Sequence, residues 1–342
     1  MEFMSQLQIL KEQPKFKGLI KIDRLSNIPL IGMIHIGVID RGSSLLQVRA
    51  STACNMKCTF CSTAANSYNI HPYNYEVELS YLVEWIKEVI KLKNNQVNQI
   101  NIDSVGEPTA YPKIAELVRE CKNLPQIEIV TMQSNGTLLN EKLIKSLEEA
   151  GLNRINFSIH SLEKEQSKTL FGAQNYNLKK TIENCRLINN SKIGLNLTPV
   201  YLPGINDNQI GSLIGFAKEL NCRISIQKYE IYKYSRKEKK AKAQNWYKFY
   251  KYLEELEKKH NYKLKLGPSD FKIYKSPKIP LTLKRGEVTT GYVVMPGWIK
   301  NEVIAVANNR TVTVLNCCSN PGERIRIKIL ETKDSIYIGI KV

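Results

Sequence analysis

Hydrophobic and polar residues along the first two thirds of the chain alternate between two periods. Apolar side chains recur at helical spacing from Tyr81 to Ile90, and the stretch Val97–Asp103 then alternates as a strand does. The same succession predicts further helices over 112–121, 141–150, 178–189 and 207–220, and strands over 44–50, 128–133, 154–160, 194–201 and 223–228. Such alternation is typical of parallel strands with right-handed crossovers, so we expect an α/β fold with a partial (β/α)6 TIM-like barrel.

The pattern changes near residue 285. A long basic helix is predicted over 241–260, and Pro277, Pro280 and Gly286 then interrupt the periodicity. Five short alternating runs follow, at 291–295, 303–307, 311–315, 324–330 and 335–342, and they predict a small all-β barrel. We therefore expect an N-terminal extension (1–43), in which 33–38 pairs with 44–50 as a hairpin, a core with a basic helical segment (44–284), and the small β-barrel (285–342).

Composition indicates an ordinary globular protein of the reducing cytoplasm. Hydrophobic residues make up 42% and charged residues 24% of the 342 positions, close to globular averages. The longest apolar runs are short, and the N-terminus lacks the layout of a secretory signal, so we expect a cytoplasmic protein without a membrane partner. The eight cysteines show no regular pairing, which favours metal ligands and free thiols over disulfides.

The net charge of +18 is concentrated in one segment. Residues 228–285 hold 18 Lys and Arg against six Asp and Glu, a net charge of +12. The aromatic residues of the same segment include Tyr229, Tyr232, Tyr234, Trp246, Tyr247, Phe249, Tyr250 and Tyr252. Lysines could meet phosphates and rings could meet bases of a nucleic acid. The alternative is a solvated amphipathic helix whose aromatic side chains face the core.

Three cysteines lie together directly after the predicted strand 44–50. The spacing Cys54-x3-Cys58-x2-Cys61 allows three thiolates to ligate three irons of a [4Fe–4S] cluster and leaves the fourth iron without a protein ligand. A structural zinc site would need a fourth ligand, and the nearest histidine in the sequence is His71. The motif therefore favours an iron–sulfur site with an open coordination position.

The segment Cys54-Asn-Met-Lys-Cys58-Thr-Phe60-Cys61 resembles the CxxxCxφC signature of the radical S-adenosylmethionine (SAM) superfamily. Asp103-Ser-Val-Gly106-Glu107-Pro108 is similar to the GGEP segment of that family, with Val105 in place of the first glycine. The resemblance implies that SAM binds the open iron and that Glu107 contacts its amino group. An electron from a donor such as a ferredoxin would then cleave SAM to a 5′-deoxyadenosyl radical.

Weaker similarities extend the implied SAM site to later strands. Ser134 and Asn135 resemble the family's third strand end, and Ser158 and His160 resemble its fourth strand end. Asn196 and Leu202 are similar to positions that bind ribose and flank adenine. Asn135 before glycine is also a plain turn signal, and a strand-end histidine is often satisfied by nearby backbone.

Within the superfamily, residues 44–228 most resemble the branch with the molybdenum-cofactor cyclase and peptide-maturing enzymes. Cys61-Ser-Thr-Ala is also similar to adenine C2 methylases of RNA, which use a methylated cysteine and a resolving cysteine. In this chain Cys317 and Cys318 are weak candidates for those catalytic roles. Adjacent cysteines at a strand end are the alternative.

Residues 287–342 resemble a TRAM domain, a small RNA-binding β-barrel attached to several tRNA-modifying radical SAM enzymes. Alternation puts Arg324, Arg326 and Lys328 on one face, where they could line a groove that binds anions. Arg310 is a further candidate for this groove. The alternative is a generic capping barrel. The leading hypothesis is a radical SAM enzyme that modifies RNA, most plausibly tRNA. The alternatives are a radical SAM enzyme acting on a small molecule or peptide, and a non-catalytic RNA-binding iron–sulfur protein.

Overall fold

This computed structural model describes residues 9–10 and 18–342, and helices and strands alternate through most of residues 79–224. The strands are β1 Ile9–Leu10, β2 Leu19–Ile22, β3 Gly37–Asp40, β4 Leu45–Arg49, β5 Asn74–Val77, β6 Gln99–Ile102, β7 Ile129–Ser134, β8 Arg154–Phe157, β9 Gly194–Leu197, β10 Val200–Tyr201, β11 Arg223–Ile224, β12 Gln227–Lys228, β13 Val288–Pro296, β14 Glu302–Ala307, β15 Arg310–Leu315, β16 Arg324–Glu331 and β17 Ile338–Lys341. The helices are α1 Leu79–Leu92, α2 Ile114–Lys122, α3 Glu141–Glu149, α4 Lys164–Phe171, α5 Leu178–Asn189, α6 Asp207–Glu219 and α7 Trp246–His260.

A seven-stranded sheet in the order β11-β9-β8-β7-β6-β4-β3 forms the centre of the fold. Six of its strands are parallel, and only β3 runs antiparallel, to β4. Helices connect the parallel strands and bury apolar stripes against the sheet, as the Leu82, Ile86 and Val89 side chains of α1 do. The predicted partial (β/α)6 barrel is confirmed, and its carboxyl strand ends lie at one edge.

A helix cap and a glycine turn explain where two elements begin. The helix predicted over 241–260 begins only at Trp246, because Asn245 caps it by accepting a hydrogen bond from the Lys248 N–H at 2.9 Å. The strand predicted over 33–38 begins at Gly37, whose φ of 94° lets residue 38 turn back. The Val38 N–H then donates to the Leu30 carbonyl at 2.8 Å, which leaves residues 30–36 as a loop.

Three parts of the architecture depart from the sequence prediction. The runs 194–201 and 223–228 are each divided into two strands, and β10 pairs with β12 in a separate two-stranded sheet. Pro199, which has no N–H to donate, lies at the break between β9 and β10. A three-stranded sheet, β1-β2-β5, and the helix α4 were not predicted at all.

The C-terminal strands close into a five-stranded barrel in the order β13-β14-β15-β17-β16, as the sequence predicted. Alternation puts Ile325, Ile327 and Ile329 of β16 inside and its basic side chains outside. The barrel core also holds Val293, Val312 and Tyr337.

The N-terminal segment joins the barrel to the sheet. The Thr311 N–H and hydroxyl both donate to the Ile31 carbonyl, at 3.0 and 2.8 Å, and the Tyr337 N–H donates to the Gly32 carbonyl at 3.0 Å. A Cβ on Gly32 would lie 2.0 Å from the Thr311 carbonyl oxygen, so this close approach requires glycine. Residues 28–40 therefore belong to the packed core, while the exact divisions at 43 and 285 stay predictions. No helix of the described chain is both long and apolar enough to cross a membrane.

Candidate active site at the carboxyl strand ends

The three motif cysteines lie on a loop that leaves the carboxyl end of β4. Backbone hydrogen bonds hold this loop to the end of α4, from the Lys57 N–H to the Phe171 carbonyl (3.1 Å) and from the Thr59 N–H to the Leu170 carbonyl (2.9 Å). Gly172 caps α4 with a φ of 59°, and a Cβ there would lie 2.2 Å from the Lys57 carbonyl oxygen. The unpredicted helix α4 therefore positions the cysteine loop.

A cavity of about 380 Å³ opens between this loop and the ends of the next strands. Cys54, Cys58 and Cys61 all line it. Eight of the ten residues predicted for the cofactor line it too: Phe60, Gly106, Glu107, Pro108, Ser134, Asn135, Ser158 and His160. They converge because β6, β7 and β8 are parallel, so the residues that follow each strand meet at one edge of the sheet.

Glu107 is the most constrained polar group of the cavity. Its Oε1 accepts hydrogen bonds from the Thr109 N–H (3.1 Å), the Thr109 hydroxyl (2.5 Å) and the Ser134 hydroxyl (2.8 Å). Its Oε2 accepts from the Asn135 N–H at 2.7 Å. Burial raises the pKa of Glu107, and these hydrogen bonds oppose that shift by favouring the charged form. The carboxylate is therefore held in one orientation at the cavity wall.

Gly106 is required by the close approach of two chains. The Glu107 N–H donates to the Ala53 carbonyl at 2.7 Å, which ties the end of β6 to the start of the cysteine loop. A Cβ on Gly106 would lie 2.3 Å from that same carbonyl oxygen and 2.5 Å from the Thr52 carbonyl oxygen.

His160 lies at the end of β8 with its ring buried against Phe60 and Phe171, at centroid distances of 4.7 and 5.0 Å. Its Nδ1 accepts a hydrogen bond from the Val200 N–H at 3.0 Å, which places the proton of a neutral imidazole on Nε2. Burial lowers the pKa of His160 to about 3, so the ring is neutral near pH 7. His160 lines the cavity as a fixed neutral group.

Four predicted residues do not line the cavity. Asn196 is buried in the sheet, where it donates to Asn156 at 2.9 Å and accepts from the Ser225 hydroxyl at 3.0 Å. Leu202 packs beneath Phe60 in a small apolar cluster. Cys317 is buried in the barrel core, and Cys318 is exposed on the barrel surface.

The three thiols fit an iron–sulfur cluster, because thiolates are its usual ligands and all three line one cavity. Burial raises the pKa of the Cys54 thiol to about 12, and it raises that of Cys58 further, with mutual repulsion among the three sulfurs as a smaller cause. Ligation by iron would offset this, because metal binding deprotonates a thiol.

The sequence did not reveal that the basic segment borders this cavity. Gln227, Lys228, Tyr229, Glu230 and Tyr232 line it together with the cysteine loop. We call residues 228–242 the basic rim. Its position follows from the topology, because β12 ends beside β10 at the same edge of the sheet. A lysine-rich run directly after the last strand was the available signal.

The aromatic residues of the basic segment 228–285 divide into two groups. Tyr229 and Phe249 are buried, and Tyr252 stacks on Tyr201 at 4.2 Å, as the amphipathic-helix alternative expects. Five rings are exposed: Tyr232 (59%), Trp246 (53%), Tyr247 (75%), Tyr250 (46%) and Tyr274 (59%). That alternative therefore accounts for only part of the segment.

The barrel reaches the cysteine loop through a buried histidine. Trp298, in the turn between β13 and β14, stacks on His71 at a centroid distance of 3.9 Å. His71 Nε2 lies 2.7 Å from the Thr63 carbonyl oxygen, and the Thr63 hydroxyl oxygen lies 3.3 Å from the Cys61 sulfur. On the barrel itself, Arg324, Arg326 and Lys328 are exposed on one face of β16, as predicted. Arg310 is buried, so the prediction that it lines a surface groove is wrong.

Comparison with known proteins establishes the class that the fold and the cysteine loop indicate. The profile of the Radical SAM superfamily matches residues 48–217, and the chain belongs to this superfamily. Its members are enzymes that use a [4Fe–4S] cluster and SAM. The profile does not extend to the barrel, so the TRAM resemblance stays a prediction.

Particular relatives show how far the similarity extends. The chain is 37% identical over 339 residues to uncharacterized protein MJ0103 of Methanocaldococcus jannaschii, and the alignment covers 91% of this chain and 78% of that protein. It is 28% identical over 193 residues to the GTP 3′,8-cyclase of Aquifex aeolicus, which covers 56% of this chain and 58% of the cyclase. The crystal structure of Streptococcus suis SuiB bound to precursor peptide SuiA matches with a TM-score of 0.51 at 19% identity, over 66% of this chain and 48% of SuiB. This last likeness concerns the fold alone.

Proposed function

We propose that this radical SAM enzyme modifies an RNA, with tRNA as the expected class, and that Cys54, Cys58 and Cys61 ligate its cluster. One observation carries the RNA part: the basic rim begins at the cavity in which the radical would form, since Lys228, Tyr229 and Tyr232 line that cavity. A polyanion held on this rim would present a nucleotide to the cavity, because phosphate contacts position an RNA while the reacting base reaches inward.

The bound cofactors supply a 5′-deoxyadenosyl radical when a donor such as a ferredoxin reduces the cluster. The chain's own residues supply binding and orientation. The Glu107 carboxylate, fixed by Thr109, Ser134 and Asn135, would pair with the ammonium group of SAM. His160 offers a neutral Nε2–H donor, and its pKa of about 3 argues against a proton-shuttling role near pH 7.

Two further surfaces support an RNA substrate. The exposed rings of Tyr232, Trp246, Tyr247 and Tyr250 offer stacking platforms close to many lysines, and Lys228 lies 4.9 Å from the Trp246 ring centroid. On the barrel, Arg324, Arg326 and Lys328 form a second basic strip. Single-stranded RNA is bound by this combination of stacking and phosphate contacts.

The test is salt-dependent RNA binding with two matched triple variants. Lys237→Ala, Lys239→Ala and Lys240→Ala remove three charges from the basic rim. Lys87→Ala, Lys142→Ala and Lys145→Ala remove three from the exposed faces of α1 and α3. We expect the rim variant to weaken tRNA binding about 10-fold or more and to lower the slope of log K against log salt by about 2. Equal losses in the two variants would refute the proposed site.

A small nucleotide is the second candidate substrate. Its support is the similarity to GTP 3′,8-cyclases, since a basic rim also suits a triphosphate. The chain aligns with only 58% of that cyclase, so the activity does not transfer with the fold. Consumption of GTP in the presence of SAM and a strong reductant, without added RNA, would favour this candidate. The peptide alternative has only a likeness of fold behind it. The non-catalytic alternative is disfavoured by membership of an enzyme superfamily.

A further inference from the structure

Arg236 connects the basic rim to the cysteine loop through its backbone N–H and both terminal nitrogens of its guanidinium group. Its N–H donates to the Cys61 carbonyl at 2.9 Å, and its Nη1 donates to the Cys58 carbonyl at 3.1 Å. Its Nη2 donates to the Ala64 carbonyl (3.2 Å), the Ala65 carbonyl and the Ser67 hydroxyl (2.9 Å). One side chain thus spans the loop from its second cysteine to a point beyond its third.

Neighbouring residues reinforce this attachment. The Ser235 hydroxyl donates to the Ser62 carbonyl at 2.9 Å and accepts from the Tyr232 N–H at 2.8 Å. The Glu238 N–H donates to the Tyr229 hydroxyl at 2.9 Å. The rim is therefore folded around Arg236 and held to the loop at several points.

The charge of Arg236 is not neutralised by a carboxylate. Its acceptors are backbone carbonyls and one hydroxyl, and none of the ion pairs within residues 18–342 includes it. The nearby Lys228 differs, since it pairs with Glu230 at 2.9 Å.

We propose that Arg236 is a positioning residue for the iron–sulfur cluster: it fixes the cysteine loop and keeps an unpaired positive charge beside the cluster. Reduction adds a negative charge to a cluster already bound by three thiolates, so a nearby cation stabilises the reduced form and raises the reduction potential. Lysine cannot replace both actions, because it carries the charge but lacks the planar fork that reaches Cys58 on one nitrogen and Ala64 and Ser67 on the other.

The test compares three variants of the full chain after anaerobic cluster reconstitution. Arg236→Met removes the fork and the charge, Arg236→Lys removes only the fork, and Lys239→Met removes one charge from an exposed rim position. The measurements are iron and sulfide per chain, circular dichroism for the fold, and the cluster's midpoint potential from a redox titration followed by electron paramagnetic resonance without SAM.

We expect Arg236→Met to bind less iron and to show a more negative midpoint in the clusters that form. Arg236→Lys should also bind less iron but keep a midpoint near that of the wild type, and Lys239→Met should match the wild type in both. If the Arg236→Met chain folds but binds no iron, this supports the role of Arg236 in fixing the cysteine loop. The midpoint potential of Arg236→Lys then tests the role of the charge. Wild-type iron and midpoint in Arg236→Met, or equal shifts in Arg236→Met and Lys239→Met, would overturn the proposal.

Discussion

Polar side chains are buried at the cavity edge of the sheet, whereas along β16 of the five-stranded barrel they are exposed to solvent. At the cavity edge, Glu107 and Ser134 are buried and each is satisfied by groups from a different strand end. In the barrel, apolar residues face inward along β16 and charged residues face solvent. A buried polar site needs partners from several elements, whereas an alternating strand specifies its two faces by itself.

The two regions are nevertheless in contact through one turn. Trp298 inserts from the barrel against His71 and His35, at centroid distances of 3.9 and 5.8 Å. The Tyr75 hydroxyl donates to the Pro296 carbonyl at 2.9 Å, and the Lys300 N–H donates to the Ile70 carbonyl at 2.9 Å. The barrel therefore packs directly on the segment that supports the cysteine loop.

The largest effect is expected for Cys58→Ala, which should remove SAM cleavage in the cavity without removing RNA binding at the rim and barrel. Cys58→Ala removes one of the three proposed cluster ligands and should abolish the formation of 5′-deoxyadenosine from SAM, measured by mass spectrometry. Affinity for tRNA should stay within about 2-fold, because phosphate contacts do not involve the cysteine. Cys318→Ala, an exposed barrel cysteine, is the control and should keep both properties. Loss of RNA binding in Cys58→Ala would show that the two regions do not act separately.

Trp298→Ala tests the contact between the regions. Removal of this buried ring should lower the free energy of unfolding by about 4 kcal/mol, measured by denaturant titration. Cluster retention should fall as well, because His71 loses the surface that holds it against Thr63. Trp246→Ala, at a half-exposed ring, should cost about 1 kcal/mol or less. Normal cluster retention in a destabilised Trp298→Ala chain would mean that the barrel stabilises itself alone.

Gly106→Ala tests the close approach within the cavity edge. The added Cβ would meet the Ala53 and Thr52 carbonyls, so we expect a loss of about 2 kcal/mol in unfolding free energy and reduced iron binding. The matched control is Gly215→Ala on α6, where the added Cβ would have no atom within 4 Å apart from its own helix backbone and chain neighbours. That change should stabilise the chain by about 1 kcal/mol, since alanine favours a helix. Similar behaviour of the two variants would contradict the role given to the Gly106 contact.

The last effect, on the pH dependence of stability, concerns a titrating group of the barrel. Burial raises the pKa of Glu302 from 4.5 to about 7, so in this window the folded chain keeps a proton that the unfolded chain releases. Stability from this group is therefore full below the unfolded pKa and is lost as pH rises through about 7. Glu302→Gln should flatten the fall in unfolding free energy between about pH 5 and pH 7.5, whereas Glu120→Gln at an exposed site should not. An unchanged slope in Glu302→Gln would assign the titration to other groups.

Several features were predictable because they depend on near neighbours in the sequence. The spacing of Cys54, Cys58 and Cys61 and the periodicity of the helices and strands are local properties, and eight predicted cofactor residues do line the cavity. Asn196 and Leu202 are not among the residues that line the cavity. Asn196 is hydrogen-bonded to Asn156 within the sheet, and Leu202 packs in an apolar cluster with Phe60.

By itself, then, the sequence determined the cysteine motif, the alternation of elements and the two faces of the barrel strands, because residues a few positions apart decide each of these. Only the tertiary structure decided which distant groups support the motif. Arg236 and Cys58 are 178 positions apart, and His71 and Trp298 are 227 apart. Contacts over such separations depend on where each strand lies in the sheet and how the barrel packs against it, and no local pattern in the chain encodes those positions.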